Sequence, residues 1–100
     1  DAPCSPLGSL RLVQTAVTRR CTVDNSVIGP DQAVSVEEAL RAVTSAAAAQ
    51  IGQGDRIGSL EPGKEADLVI LERDPFKVAP DEIMKSKVSE TWVAGEKIFG

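Results

Sequence analysis

Gly58, four intervening residues, Gly63 and Lys64 reproduce the first seven positions of a phosphate-binding P-loop. The chemistry would be a cradle of backbone N–H groups around a phosphate, with the lysine as counter-charge. Three features speak against it. The position that should hold a Mg²⁺-binding Ser or Thr is Glu65, an anion where phosphate would approach. Pro62 has no N–H to offer. A P-loop also runs from a strand into a helix, whereas "ADLVIL" at 66–71 is an apolar, β-branched run that reads as a buried strand. Pro62-Gly63 is therefore read as a tight turn entering that strand. No ATP or GTP site is expected at 58–64.

The remaining candidates for chemistry are few. The chain has no histidine and no tyrosine. That removes Ser-His-Asp and Cys-His catalysis, the commonest metal ligand and the usual general base near neutral pH. Cys4 and Cys21 are too few for a disulfide framework and cannot complete a zinc site alone, so both read as free thiols. A chain working by itself would depend on carboxylates and lysines. Its acids are spread over caps, turns and exposed faces, so an autonomous carboxylate hydrolase, which needs two acids in one cleft, is not supported.

One hundred residues is one small domain or a piece of a larger one, and 42% hydrophobic residues allow a modest core. The net charge of −4 argues against nucleic acid and anionic membranes as partners, both of which ask for basic patches. Arg19-Arg20 is the only basic doublet and suits the C-terminal turn of a helix. No apolar run approaches a membrane span, and no signal peptide is visible, which favours a cytoplasmic location. The chain begins at Asp1 and not at Met, which is read as a fragment, a trimmed chain or a processed product.

These residues must be held by few elements. Leu10, Val13, Ala16 and Val17 recur at helical spacing, predicting a first helix over about 7–20. Residues 21–34 carry turn chemistry at Asp24-Asn25-Ser26 and Gly29-Pro30-Asp31. A second helix is predicted over 36–50: Ser35 caps it, Glu38 completes a capping box, and Val36, Ala39, Leu40, Val43 and Ala47 form one apolar face. After the strand at 66–71, Pro80-Asp81-Glu82 starts a single helical turn. Residues 88–99 read as a hairpin around a two-residue type II′ loop, Gly95-Glu96, pairing Val93 with Ile98 and Trp92 with Phe99. Both faces of this hairpin carry apolar residues, so both are expected to meet protein. The class is α+β, two helices followed by a small antiparallel or mixed sheet whose edges invite a partner.

"RIGSLEPGKEADLVILERDPF" with "VSETWVAGEKIF" resembles the C-terminal end of metal-dependent amidohydrolases. "SVEEALRAVTSAAAAQIG" resembles the helix before that end, and "DAPCSPLGSLRLVQTAVTRR" the region after the eighth barrel strand in the family 3 branch, which includes N-substituted formamide deformylase-like and exoenzyme regulatory protein-like members. The resemblance implies that residues 1–50 are the last helices of a (β/α)₈ barrel and 51–100 the C-terminal strands of a composite β-sandwich. Gly58 to Ala66 would be the turn feeding the sandwich, with Lys64 on the surface.

It further implies that Asp1, in "DAP", stands where these enzymes keep an Asp that binds metal and takes a proton from the hydrolytic water. The histidine ligands of the family are absent from this chain. The fragment is therefore expected to hold no cofactor, the divalent metal (zinc by preference) belonging to the parent, and to be inactive alone. Two readings follow. One is the C-terminal portion of a metal-dependent hydrolase of amide-type, non-peptide carbon–nitrogen bonds, whose partner is the remainder of the parent barrel. The other is a stand-alone, non-catalytic binding or regulatory module pairing through its sheet edges. As an isolated fragment it is expected to form a homo-oligomer. Substrate specificity in barrel enzymes is set by loops at the barrel top, and nearly all of those lie outside this chain.

Overall fold

Ser35 opens the best-defined element. Its hydroxyl accepts from the Glu38 amide at 3.1 Å, and Glu38 Oε1 accepts from the Ser35 amide at 3.3 Å, completing the expected capping box. The helix it starts, α2, spans Val36–Ala42. The structure is a computed structural model and describes residues 8–21 and 23–100.

The expectation of one helix over 36–50 is corrected. The chain turns at Val43 and Thr44, the latter at φ −127° and ψ −97°, and a separate helix α3 spans Ser45–Gln50. Neither Gly nor Pro marks this break. Two features meet there: Thr44 Oγ1 donates back to Leu40 O at 2.7 Å, and the chain, folding back after α3, lays Gly58 against Thr44, Ser45 and Ala48.

The first helix, α1, spans Ser9–Thr18 and is shorter than expected; residue 7 of the predicted span lies outside the described residues. Arg19 and Arg20 fall beyond its last turn. Arg19 takes the left-handed conformation (φ 55°) and returns its amide to Thr15 O. Arg20 pairs with Val27 in an isolated antiparallel bridge. Arg19 Nε donates to Ile28 O at 3.0 Å. The loop between them leads to a short 3₁₀ helix, Pro30–Gln32.

One core forms where α1 and α2 meet. Val13, Ala39 and Ile83 are buried together, flanked by Leu10, Ala16, Val17, Leu40 and Val43. Ile83 comes from a second 3₁₀ helix, Pro80–Lys85, in place of the predicted helical turn. That segment is also pinned by the Met84 amide, which donates to Gln14 Oε1 at 2.8 Å.

The sheet is antiparallel, in the order β1 (Leu68–Leu71), β2 (Val88–Val93), β3 (Glu96–Phe99). Leu68 lies opposite Trp92 and Val69 opposite Thr91. The hairpin corrects the expected turn and register. Its loop is Ala94-Gly95, both with positive φ (50° and 80°), the signature of a type I′ turn. Val93 therefore faces Glu96 and Trp92 faces Lys97; a slip then brings Phe99 opposite Thr91. The Trp92–Phe99 pair does not form, and Trp92 Nε1 donates instead to Glu90 Oε1 at 2.8 Å. Type I′ wins because its twist matches that of the strands, and Gly95 takes the second positive-φ position without strain. No strand residue is fully buried; Val69, Val93, Ile98 and Phe99 stand exposed.

Candidate functional site

Three places merit testing as a site. The first is the turn at 58–64. Lys64 Nζ donates to Ser59 Oγ at 2.8 Å and pairs with Glu61 Oε2 at 3.0 Å, while the Ser59 hydroxyl donates to the same carboxylate oxygen. The Ser59 hydrogen bond, and then Lys64, hold the Glu61 carboxyl below the usual glutamate range. Lys64 was expected on the surface, but only 19% of its side chain is exposed, because the ammonium folds onto these two partners. A protonated lysine against a carboxylate donates and does not accept, so it cannot activate Ser59 as a nucleophile. The lysine faces an anion of its own chain and Pro62 offers no N–H, so the turn has no phosphate cradle. Its task is to lock the entry to β1. The Glu65 amide bonding Arg56 O at 2.8 Å reinforces it.

The second place is a cleft of ≈ 420 Å³ lined by Gln14, Arg20, Cys21, Asn25 and Asp81. Its charges are already spent. Arg20 Nε lies 3.4 Å from Asp81 Oδ1, and Arg20 Nη1 donates to Asn25 O at 3.2 Å. Gln14 Oε1 is taken by the Met84 amide. Behind the cleft, Asp24 accepts from the Ser26 hydroxyl at 2.7 Å and the Ser26 amide at 3.0 Å. These bonds, joined by one from the Cys21 thiol, hold its carboxyl below the ordinary aspartate range. Cys21 is a free, half-buried thiol, as expected; Cys4 lies outside the described residues. The sequence could not show this cleft, because Gln14, Arg20 and Asp81 are brought together only by the docking of Pro80–Lys85 on α1.

The third is Asp1. It lies outside the described residues, seven positions before the Gly8 that caps α1. Among the described residues, no three His, Cys, Asp or Glu side chains gather to hold a metal ion. The described part of the chain therefore does not fit a metal centre by itself. Among the same residues, no helix is long and apolar enough to cross a membrane.

Residues 1–99 match the family model described as "Amidohydrolase family". The chain is 39% identical to the N-substituted formamide deformylase of Arthrobacter pascens over 95 residues, covering 95% of this chain and 17% of that protein. It is 39% identical over 66 residues to the imidazolonepropionase of Porphyromonas gingivalis, covering 66% of this chain and 16% of that protein. Its fold superimposes on the crystal structure of an amidohydrolase from Thermotoga maritima with a TM-score of 0.72 at 32% identity, covering 99% of this chain and 21% of that one. The chain thus spans about a fifth or less of the relatives it matches.

Proposed function

This chain belongs to the amidohydrolase family, and from that premise we propose that it is the C-terminal portion of a metal-dependent hydrolase of amide-type, non-peptide carbon–nitrogen bonds. The observation that carries this reading is the 39% identity to a formamide deformylase over 95% of the chain. On this reading α1 to α3 are the last helices of the (β/α)₈ barrel, and β1 to β3 are the C-terminal part of the composite sandwich. The exposed apolar side chains of Val69, Val93 and Phe99 support it, since they suit a sheet that meets further protein.

The metal, zinc by preference, and its histidine ligands belong to the remainder of the parent. Asp1 is the residue of this chain proposed to serve the reaction, as a metal-binding carboxylate that also accepts a proton. By itself the chain is inactive. The test is hydrolysis of an N-substituted formamide by the isolated chain and by the intact parent. No turnover is expected from the first, and a loss of about 10²–10⁴-fold from Asp1→Asn in the second. Turnover by the isolated chain, or an indifferent Asp1→Asn, would sink the proposal.

The open edges of β1 and β3 favour a second property. Alone, the chain associates with copies of itself, by edge pairing or by exchange of helices. Light scattering across micromolar concentrations checks this; a 10.5 kDa monomer throughout contradicts it. If the isolated chain instead captures a partner strand while the parent shows no hydrolysis, it is a non-catalytic pairing module.

A further inference from the structure

Residues 36–50 carry two instructions that disagree. Locally they ask for one helix: a capping box at Ser35, no Gly or Pro, and alanine from 46 to 49. The fold breaks them at Val43 and Thr44, whose amides bond Leu40 O and Arg41 O, three residues back, at 3.3 and 3.2 Å. Helix α3 restarts with the Ala48 amide on Thr44 O at 3.0 Å. A conflict between local preference and fold means that something tertiary holds the break.

Two causes are present. Thr44 Oγ1 donates to Leu40 O at 2.7 Å, a back-bond that bends helices slightly. The other is the returning chain. A Cβ at Gly58 would lie 2.6 Å from Ala48 Cβ, 3.2 Å from Ser45 Cα and 3.4 Å from Thr44 O, and φ there is +97°. Only glycine allows this approach. The returning path is fastened as well, by the Gln53 amide on Ala48 O at 2.9 Å. Ala48 is left 4% exposed.

We propose that the joint between α2 and α3 is a two-position device governed by Gly58. With Gly58 seated, the helix is broken. With Gly58 released, residues 36–50 close into one continuous helix. Closure gives partners to the amides of Ser45, Ala46 and Ala47, which as the first turn of α3 have none within it; they find the carbonyls of Arg41, Ala42 and Val43. The seated segment runs on through the Ser59–Glu61–Lys64 lock into β1. Unseating Gly58 therefore also frees the lead-in to the sheet, and the continuity of the helix signals whether that lead-in is docked.

Amide hydrogen exchange, residue by residue, tests this on the whole chain. Gly58→Ala should slow exchange at Ser45, Ala46 and Ala47 by about tenfold or more, as they gain helical partners. Ala48→Leu should do the same by filling the seat from the helix side, at a position where leucine has no backbone strain. Thr44→Ala, which removes the back-bond and leaves the seat intact, should leave the three amides as in the parent sequence. Fast exchange at these amides in both Gly58→Ala and Ala48→Leu, whatever the state of the rest of the chain, overturns the device. So does a continuous helix produced by Thr44→Ala alone, which would place the cause of the break in Thr44.

Discussion

The helical half and the sheet half draw on similar apolar side chains and treat them differently. Val13, Ala39 and Ile83 are 1%, 3% and 1% exposed, while Val69, Val93 and Phe99 in the sheet are 54%, 47% and 57% exposed. The helices close a core because they recruit a residue from the other half of the sequence: Ile83 arrives on Pro80–Lys85 and fills the gap between α1 and α2. The sheet recruits nothing comparable. Its strands satisfy each other's backbone groups, yet their side chains are exposed or at most half-buried. Backbone pairing and side-chain burial are thus separate achievements in this chain, and the sheet completes only the first.

The strongest way to break that contrast is Ile83→Ala. It should destabilise the chain by about 2–5 kcal/mol, as large-to-small changes in a packed core do. A urea titration followed by circular dichroism measures it, and a loss below about 1 kcal/mol would place the core elsewhere. Ser35→Ala acts on the helical half without touching its core. Loss of the cap should lower stability by about 1 kcal/mol, and an unmoved midpoint would mean that the capping box is idle in solution.

Ala94→Asn probes the sheet through its turn. Alanine is disfavoured at the positive φ it adopts there, whereas Asn is the preferred first residue of a type I′ loop. The change should stabilise the hairpin by roughly 0.5 kcal/mol, read from the fluorescence of Trp92, the only tryptophan. A destabilised hairpin would return the loop to Gly95-Glu96. The smallest effect belongs to Phe99→Ser, expected within about 0.5 kcal/mol in the isolated chain because the ring is already exposed. Measured in the intact parent, the same substitution should cost several times more if the remaining chain covers this face. Equal losses in the two settings would leave the face solvated in both.

Much of the local structure was legible because it is written in short-range chemistry. Ser35 and Glu38 announce the start of α2 with a spacing that has one physical meaning. The β-branched run at 66–71 announces β1, although the strand covers only Leu68–Leu71 and lacks the burial expected of it, and Pro62 with Glu65 dismissed the nucleotide loop before any fold was known. What escaped depends on neighbours far along the chain. The break at Thr44 lies where Gly58 packs, the burial of Ile83 comes from α1, and the partial burial of Lys64 from the folding of its own turn onto Ser59 and Glu61. The hairpin register was missed for a narrower reason. A glycine can serve either position of a two-residue loop, and only the twist of the flanking strands decides between them. Of the candidate site, the family resemblance spoke for Asp1. The cleft beside Arg20 was beyond reach, since its walls come from opposite ends of the chain.

The bond between Gln14 and the Met84 amide spans 70 positions, and that distance has a consequence in time. Synthesis proceeds at about 5–20 residues per second, so Gln14 emerges several seconds before its partner exists. For the last half of that interval α2 has also been made, and Val13 and Ala39 lack the residue that completes their cluster. The nascent helices therefore hold an adhesive surface in waiting, and the late arrival of Ile83 is the event that ends their exposure to other chains.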